Sequence, residues 1–316
     1  MKKKTKALVL ASGLSIAAMC AYNKFVEANS TRKNLLKTEN GTFFDWKHGK
    51  IFYTKQGNGS PILLIHDTDS RASGAEWSKI NKKLAKNHTV YTIDLIGCGR
   101  SDKPKVKYTN YLYVQLITDF VRKVIKEKTD VIATHLSTSF VIMANNLDDG
   151  LFNRIIMINP VSFKDMAAVP DNKTELWQTI INLPVIGTFL YNLHMNPAKI
   201  DIIFRLKYFS RMQLISTKLE DIYYESAHLG KSNGKYLYSS LIANYFNINM
   251  VHAVKNIKKP VFIIGSTDKA KNIDIMDKYH ILNNNITITH VSNSKLYPQL
   301  EIPDKTLSII EADLSK

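Results

Sequence analysis

The stretch Val131-Ile132-Ala133-Thr134-His135-Leu136-Ser137-Thr138-Ser139-Phe140-Val141 decides how the rest of the chain is organised. A β-branched apolar run stops at a cluster of hydroxyl side chains and gives way at once to a helical-looking segment, the pattern of a strand that turns sharply into a helix. Such a turn holds its central residue in a strained backbone conformation that lifts the side chain out of the fold. It needs small residues two before and two after, where strand and helix pass closely. With Ser137 at the centre, the strand fills Val131 to Thr134 without a gap, and Ser137 is the expected nucleophile. With His135 at the centre, Ala133 and Ser137 satisfy the small-residue rule better, and no serine stands at the apex.

Outward from this turn the chain alternates strands and helices. Gly49 to Gln56 reads as a strand, Gly57-Asn58-Gly59 as a turn, and Pro61-Ile62-Leu63-Leu64-Ile65 as a strand buried on both faces. A helix is expected over Trp77 to Lys86, a strand over Thr89 to Leu95, and a long helix over Tyr111 to Lys128. Strands follow at Ile155 to Ile158, Lys259 to Gly265 and Ile286 to Val291, and a last helix at Pro303 to Ala312. This alternation predicts an α/β fold with a mainly parallel sheet flanked by helices. Asp94 ends a buried strand ahead of Gly97-Cys98-Gly99, where a carboxylate is expected to fix the loop through backbone N–H groups rather than do chemistry.

Six landmarks then carry a family resemblance: Ile65-His66, Asp94 through Pro104, the turn at Ser137, the strand ending in Asn159-Pro160, Pro260 to Asp268, and Pro298 through Pro303. In order and spacing they resemble the α/β-hydrolase superfamily, of the capped esterase or lipase kind. The resemblance implies an α/β-hydrolase fold over residues 43–161 and 259–316, with residues 162–258 inserted after the sixth strand as a helical cap. It implies a serine triad with Ser137 as nucleophile and Asp268 as acid. It places backbone oxyanion donors at Thr138 and Thr68. The segment Ser294-Lys295-Leu296-Tyr297-Pro298-Gln299-Leu300-Glu301 is similar to the family's G-H-x-P-x-x-E stretch and puts Leu296 where the histidine base belongs.

A serine hydroxyl needs a base to take its proton, and leucine cannot accept one. His290, His280 and His66 are the candidates to stand in. Asp67 occupies the glycine position of the family's His-Gly pair, where a carboxylate opposes developing negative charge. Two functions therefore stand side by side: a serine esterase or lipase-type hydrolase of a lipophilic ester acting through Ser137, and a pseudohydrolase that binds a ligand or partner without turnover.

Composition narrows the partners. The chain of 316 residues carries a net charge of +16, is 45% hydrophobic and has two cysteines. Its basic residues are dispersed and no nucleic-acid motif is present, so an anionic membrane surface is favoured over nucleic acid. Cys20 and Cys98 offer neither a disulfide framework nor metal-ligand spacing, and no cofactor motif appears. Lys2, Lys3, Lys4 and Lys6 precede an apolar run to about Tyr22, which predicts that residues 1–28 form an uncleaved membrane anchor or signal segment. Lysines and arginines on both sides of the run leave its orientation open. A cap rich in Tyr, Phe, Leu and Ile predicts a small lipophilic ligand beneath it, while the oligomeric state leaves no trace in the sequence.

Overall fold

A computed structural model describes residues 3–38 and 40–316, with side chains described from residue 12 onward. Eight strands form one sheet: β1 (Gly41–Trp46), β2 (Gly49–Gln56), β3 (Pro61–Ile65), β4 (Thr89–Ile93), β5 (Thr129–Thr134), β6 (Phe152–Ile158), β7 (Val261–Ser266) and β8 (Ile286–Val291). Their spatial order is β1-β2-β4-β3-β5-β6-β7-β8, antiparallel through β4 and parallel from β4 to β8.

The unbroken apolar runs of β3, β5 and β7 are buried along their whole length because helices cover both faces of the sheet. Successive side chains on β3 divide between the two layers. Leu63 and Ile65 enter a core with α3 (Asn110–Phe120) and α4 (Ser137–Leu147). Ile62 and Leu64 meet Trp77, Leu84 of α2 (Asn81–Leu84) and Ile310 of α13 (Pro303–Leu314). A one-residue slip would exchange these two sets, so the register is tightly specified.

Two elements differ from expectation. The helix expected over Trp77 to Lys86 is a 3₁₀ turn at Gly74–Trp77 followed by the short α2. Edge strand β1 was not expected at all, because its residues are mostly half-buried or exposed and show no clean alternation.

Asp94 has the structural role expected of it. It is fully buried and accepts from Gly74 N at 2.6 Å and from Arg100 N at 2.8 Å, while the Arg100 guanidinium grips both carboxylate oxygens at 2.7 and 2.9 Å. Burial would raise its pKa, but the Arg100 charge and hydrogen bonds outweigh that and hold the carboxyl below its usual range. Gly99, at φ +48°, leaves room for this pair: a Cβ there would come 2.3 Å from Asp94 Oδ2.

Between β6 and β7 the chain forms the helices α5 (Asn172–Asn182), α6 (Ile186–His194), α7 (Pro197–Ile203), α8 (Thr217–His228), α9 (Gly234–Ile242) and α10 (Val251–Lys255). The interior of this insertion is filled with aromatic rings. Phe204, Tyr208, Phe209 and Tyr223 pack together with Tyr297 from the loop after β8, and all five are buried. After β7 come α11 (Ala270–Leu282) and, beyond β8, α12 (Pro298–Glu301), which precedes α13.

The N-terminal helix α1 (Lys3–Ser30) is not separate from this body. It packs on α6 and α8, with Tyr22 edge-on to Phe189, Asn23 bonded to Val185 O and Asn192, and Val26 buried. The expected anchor over residues 1–28 therefore overlaps a stretch that belongs to the packed fold. Among the described residues, no helix is long and apolar enough to cross a membrane. The side chains of Lys2, Lys3, Lys4 and Lys6, on which the anchor expectation partly rests, lie outside the described residues.

Candidate functional site

The turn after β5 is built in the second of the two registers. His135 has φ +47°, a left-handed conformation uncommon outside glycine, and it stands at the apex between β5 and α4. Its N–H donates to Ile158 O at 2.9 Å and its carbonyl receives the Thr138 N–H at 3.1 Å, so the strain is fixed from both sides. Ala133 and Ser137, two residues before and after, are fully buried where strand and helix cross.

Ser137 is thus in the first turn of α4, and the expectation that it forms the apex is corrected. Its Oγ donates to His66 O at 2.6 Å and lies 2.8 Å from Thr68 Oγ1, which leaves Thr68 as the donor of the second bond. The signal that could have decided the register was the one the size rule supplied: only His135 has small neighbours on both sides.

None of the stand-in bases reaches Ser137 by hydrogen bond. His66 Nε2 accepts from Leu95 N at 3.0 Å, so the proton of the neutral ring sits on Nδ1 and is donated to Asp67 O at 2.6 Å. Burial depresses its pKa and keeps the imidazole neutral. His280 donates through Nδ1 to Ile286 O at 2.8 Å, on the exposed side of α11, and His290 is exposed on edge strand β8. Leu296 lies half-buried beside the cleft above His135.

The oxyanion donors also differ from expectation. The Thr138 N–H is spent on His135 O, and the residue that follows the apex is Leu136. Leu136 N–H and Thr68 N–H converge, at 3.2 and 2.7 Å, on one acceptor: Asp67 Oδ1. Asp67 Oδ2 accepts from Tyr297 OH at 3.2 Å. A carboxylate oxygen of the chain itself therefore sits between these two backbone donors.

Beneath Asp67 lies a second buried carboxyl that the sequence reading missed. Glu76 Oε2 accepts from Asp67 N at 3.0 Å and Glu76 Oε1 from Gln299 Nε2 at 2.8 Å. Burial and the neighbouring Asp67 carboxylate push Glu76 up to about 8. Asp268, the expected acid, follows β7 and lines the same cleft as His135. Its Oδ1 accepts from Ser266 Oγ at 2.9 Å and Asn272 Nδ2 at 2.8 Å.

The cleft has a volume of about 310 Å³. His135, Asn159 and Asp268 line it from the ends of β5, β6 and β7, with Lys207, Lys269, Lys271 and Lys295 around them and Ile275, Met276 and Leu296 as apolar wall. Nothing in the sequence marked these four lysines as a set, because they come from three distant segments.

Comparison with known proteins agrees with this architecture. The fold is the α/β-hydrolase fold. A meta-cleavage product hydrolase from Pseudomonas fluorescens IP01 superposes with a TM-score of 0.70 at 15% identity, covering 88% of this chain and 98% of that one. A bromoperoxidase from Bacillus anthracis gives 0.69 at 14% identity, covering 87% of this chain and all of that one. In sequence, 71 residues (22% of this chain) are 31% identical to a 2-hydroxy-6-oxo-6-(2'-aminophenyl)hexa-2,4-dienoic acid hydrolase of Metapseudomonas resinovorans, and 60 residues (19%) are 33% identical to a haloalkane dehalogenase of Agrobacterium fabrum. These matches span 24% and 19% of the relatives' own lengths. No family model matches the chain.

Proposed function

We propose that this chain is a non-hydrolytic member of the α/β-hydrolase fold, a pseudohydrolase that binds a small ligand in the cleft over His135. The observation that carries the reading is the position of Asp67 Oδ1 between the Leu136 and Thr68 N–H groups. A substrate carbonyl oxygen has no preorganised donors to develop charge against while that carboxylate is in place. Two further substitutions support it: an imidazole at the strained apex, and a leucine at the base position. The alternative, an esterase acting through Ser137, has less support, since that hydroxyl is buried and both of its hydrogen bonds are used within the fold.

We propose also that the protein is held at an anionic membrane surface through α1 and the cap. Most of the exposed large apolar side chains lie there, including Leu14, Ile16, Phe25, Leu176, Trp177 and Ile186. The net charge of +16 favours anionic lipid. The segment would lie on the bilayer rather than span it.

The decisive experiment is labelling of the purified protein with a fluorophosphonate probe. The unmodified chain should remain unlabelled. Labelling that is abolished by Ser137→Ala would sink the non-hydrolytic reading and restore the esterase.

A further inference from the structure

We propose that the cleft over His135 is a binding site for a small organic anion, a phosphate ester or polycarboxylate, rather than for the lipophilic ligand that the cap's composition suggested. The inference deepens the non-hydrolytic reading and rests on it.

The cleft lies outside the carboxyl ends of β5, β6 and β7, the position where open α/β sheets receive ligands. Its lysines converge from separate elements: Lys207 from the turn after α7, Lys269 and Lys271 from the start of α11, and Lys295 from the loop after β8. Two carboxylates offset them in part. Lys271 pairs with Asp165 at 3.1 Å, and Asp268 is held by Ser266 and Asn272. Lys207 and Lys269 form no ion pair among the described residues, which leaves uncompensated cationic charge at the rim.

Two further features mark the cleft. His135 lines the cleft half-buried, at the strained apex of the turn. The thirteen-residue helix α11 begins at the cleft without a side-chain cap, so its dipole adds to the positive field there, beside the Asp268 carboxylate. Ile275, Met276 and Leu296 give an apolar wall for the carbon skeleton, which suits an organic anion better than a bare ion.

The test is calorimetric titration of the full chain with pyrophosphate and, in a second arm, citrate, at about 50 mM salt, where surface charge is not fully screened. Saturable 1:1 binding of either probe is expected. Lys207→Glu combined with Lys269→Glu should weaken it at least tenfold, and His135→Phe several-fold. Lys82→Glu, on exposed α2, should leave it unchanged. These are exposed lysines, and unchanged melting temperatures would confirm that the double variant folds. Absence of saturable binding, equal binding by the double variant, or binding only to anionic phospholipid vesicles would overturn the proposal. The outcome is separable from the reading it rests on. Fluorophosphonate labelling of the unmodified chain would sink the non-hydrolytic assignment alone, whereas an unlabelled chain that binds neither probe would sink only the anion site.

Discussion

Asp67 and Leu136 are 69 residues apart in the chain, and the carboxylate of the first accepts the backbone N–H of the second at 3.2 Å. On the proposed reading that bond fills the oxyanion position, and it can be undone. Asp67→Gly should free both donors, His135→Ser should put a hydroxyl at the strained apex, and Leu296→His should supply a base. The triple variant should react with a fluorophosphonate while each single variant stays unlabelled. A positioned base is typically worth about 10²–10⁴ in rate and an oxyanion donor about 10²–10³, so the gain should exceed background by orders of magnitude. A triple variant that folds and remains inert would show that the apex, Asp268 and position 296 are not aligned for catalysis.

Glu76 predicts a pH dependence with a definite sign. Its carboxyl titrates near 8 in the fold, through burial and the neighbouring Asp67, and near the ordinary glutamate value of about 4.3 in the unfolded chain. Between those values the folded protein keeps a proton that the unfolded chain has released, so stability falls as pH rises and levels off above about 8. The slope from this group is about 1.4 kcal/mol per pH unit at most. His66 acts in the opposite sense, but only below about pH 6.5, where the unfolded chain takes up its proton. Lys103 and Lys235, both lowered to about 8 by burial, also oppose Glu76 between pH 7 and pH 8, so Glu76 is isolated by comparing denaturant unfolding of the unmodified protein with that of Glu76→Gln across that step. Across that step the unmodified protein should lose about 1 kcal/mol relative to Glu76→Gln, in which the lysine contribution is the same. An identical slope in the two proteins would show that Glu76 is ionised throughout.

Much of the fold was legible because it is written in local patterns. The continuous apolar runs of β3, β5 and β7 could only be strands buried on both faces, and Asp94 with its two glycines could only fix a loop. The site was harder. Two registers of the turn at 133–139 differ by one pair of small residues, and the choice between them moves the apex from Ser137 to His135. Asp67 was legible as a misfit, but not as the ligand of Leu136, since that contact depends on a fold-level approach of β3 and β5. The partnership of Glu76 with Gln299, 223 residues away, leaves no trace in sequence spacing.

Asp94→Ala should cost about 3–5 kcal/mol, because it leaves the Arg100 guanidinium without its partner and two backbone N–H groups without an acceptor. Asp94→Asn, which keeps an acceptor, should cost less. Denaturant midpoints of the two variants give the comparison. Unchanged melting in Asp94→Ala would mean that the loop after β4 is held by other contacts.

The last prediction separates the two roles given to α1. Val26 is 4% exposed and faces the packed side of the helix against α6 and α8, whereas its neighbour Phe25 is 65% exposed. Val26→Asp would bury a carboxylate with no partner and should destabilise the protein by about 2–4 kcal/mol. Phe25→Asp should change stability by no more than about 0.5 kcal/mol, as surface substitutions usually do. At a membrane the order should reverse. Phe25→Asp removes apolar area available to lipid and adds a charge that anionic headgroups repel, so flotation with anionic vesicles should fall while the melting temperature holds. If both variants melt like the unmodified chain, α1 is a tether with no part in the fold. If Phe25→Asp floats as well as the unmodified chain, the exposed face of α1 is not the surface that meets lipid.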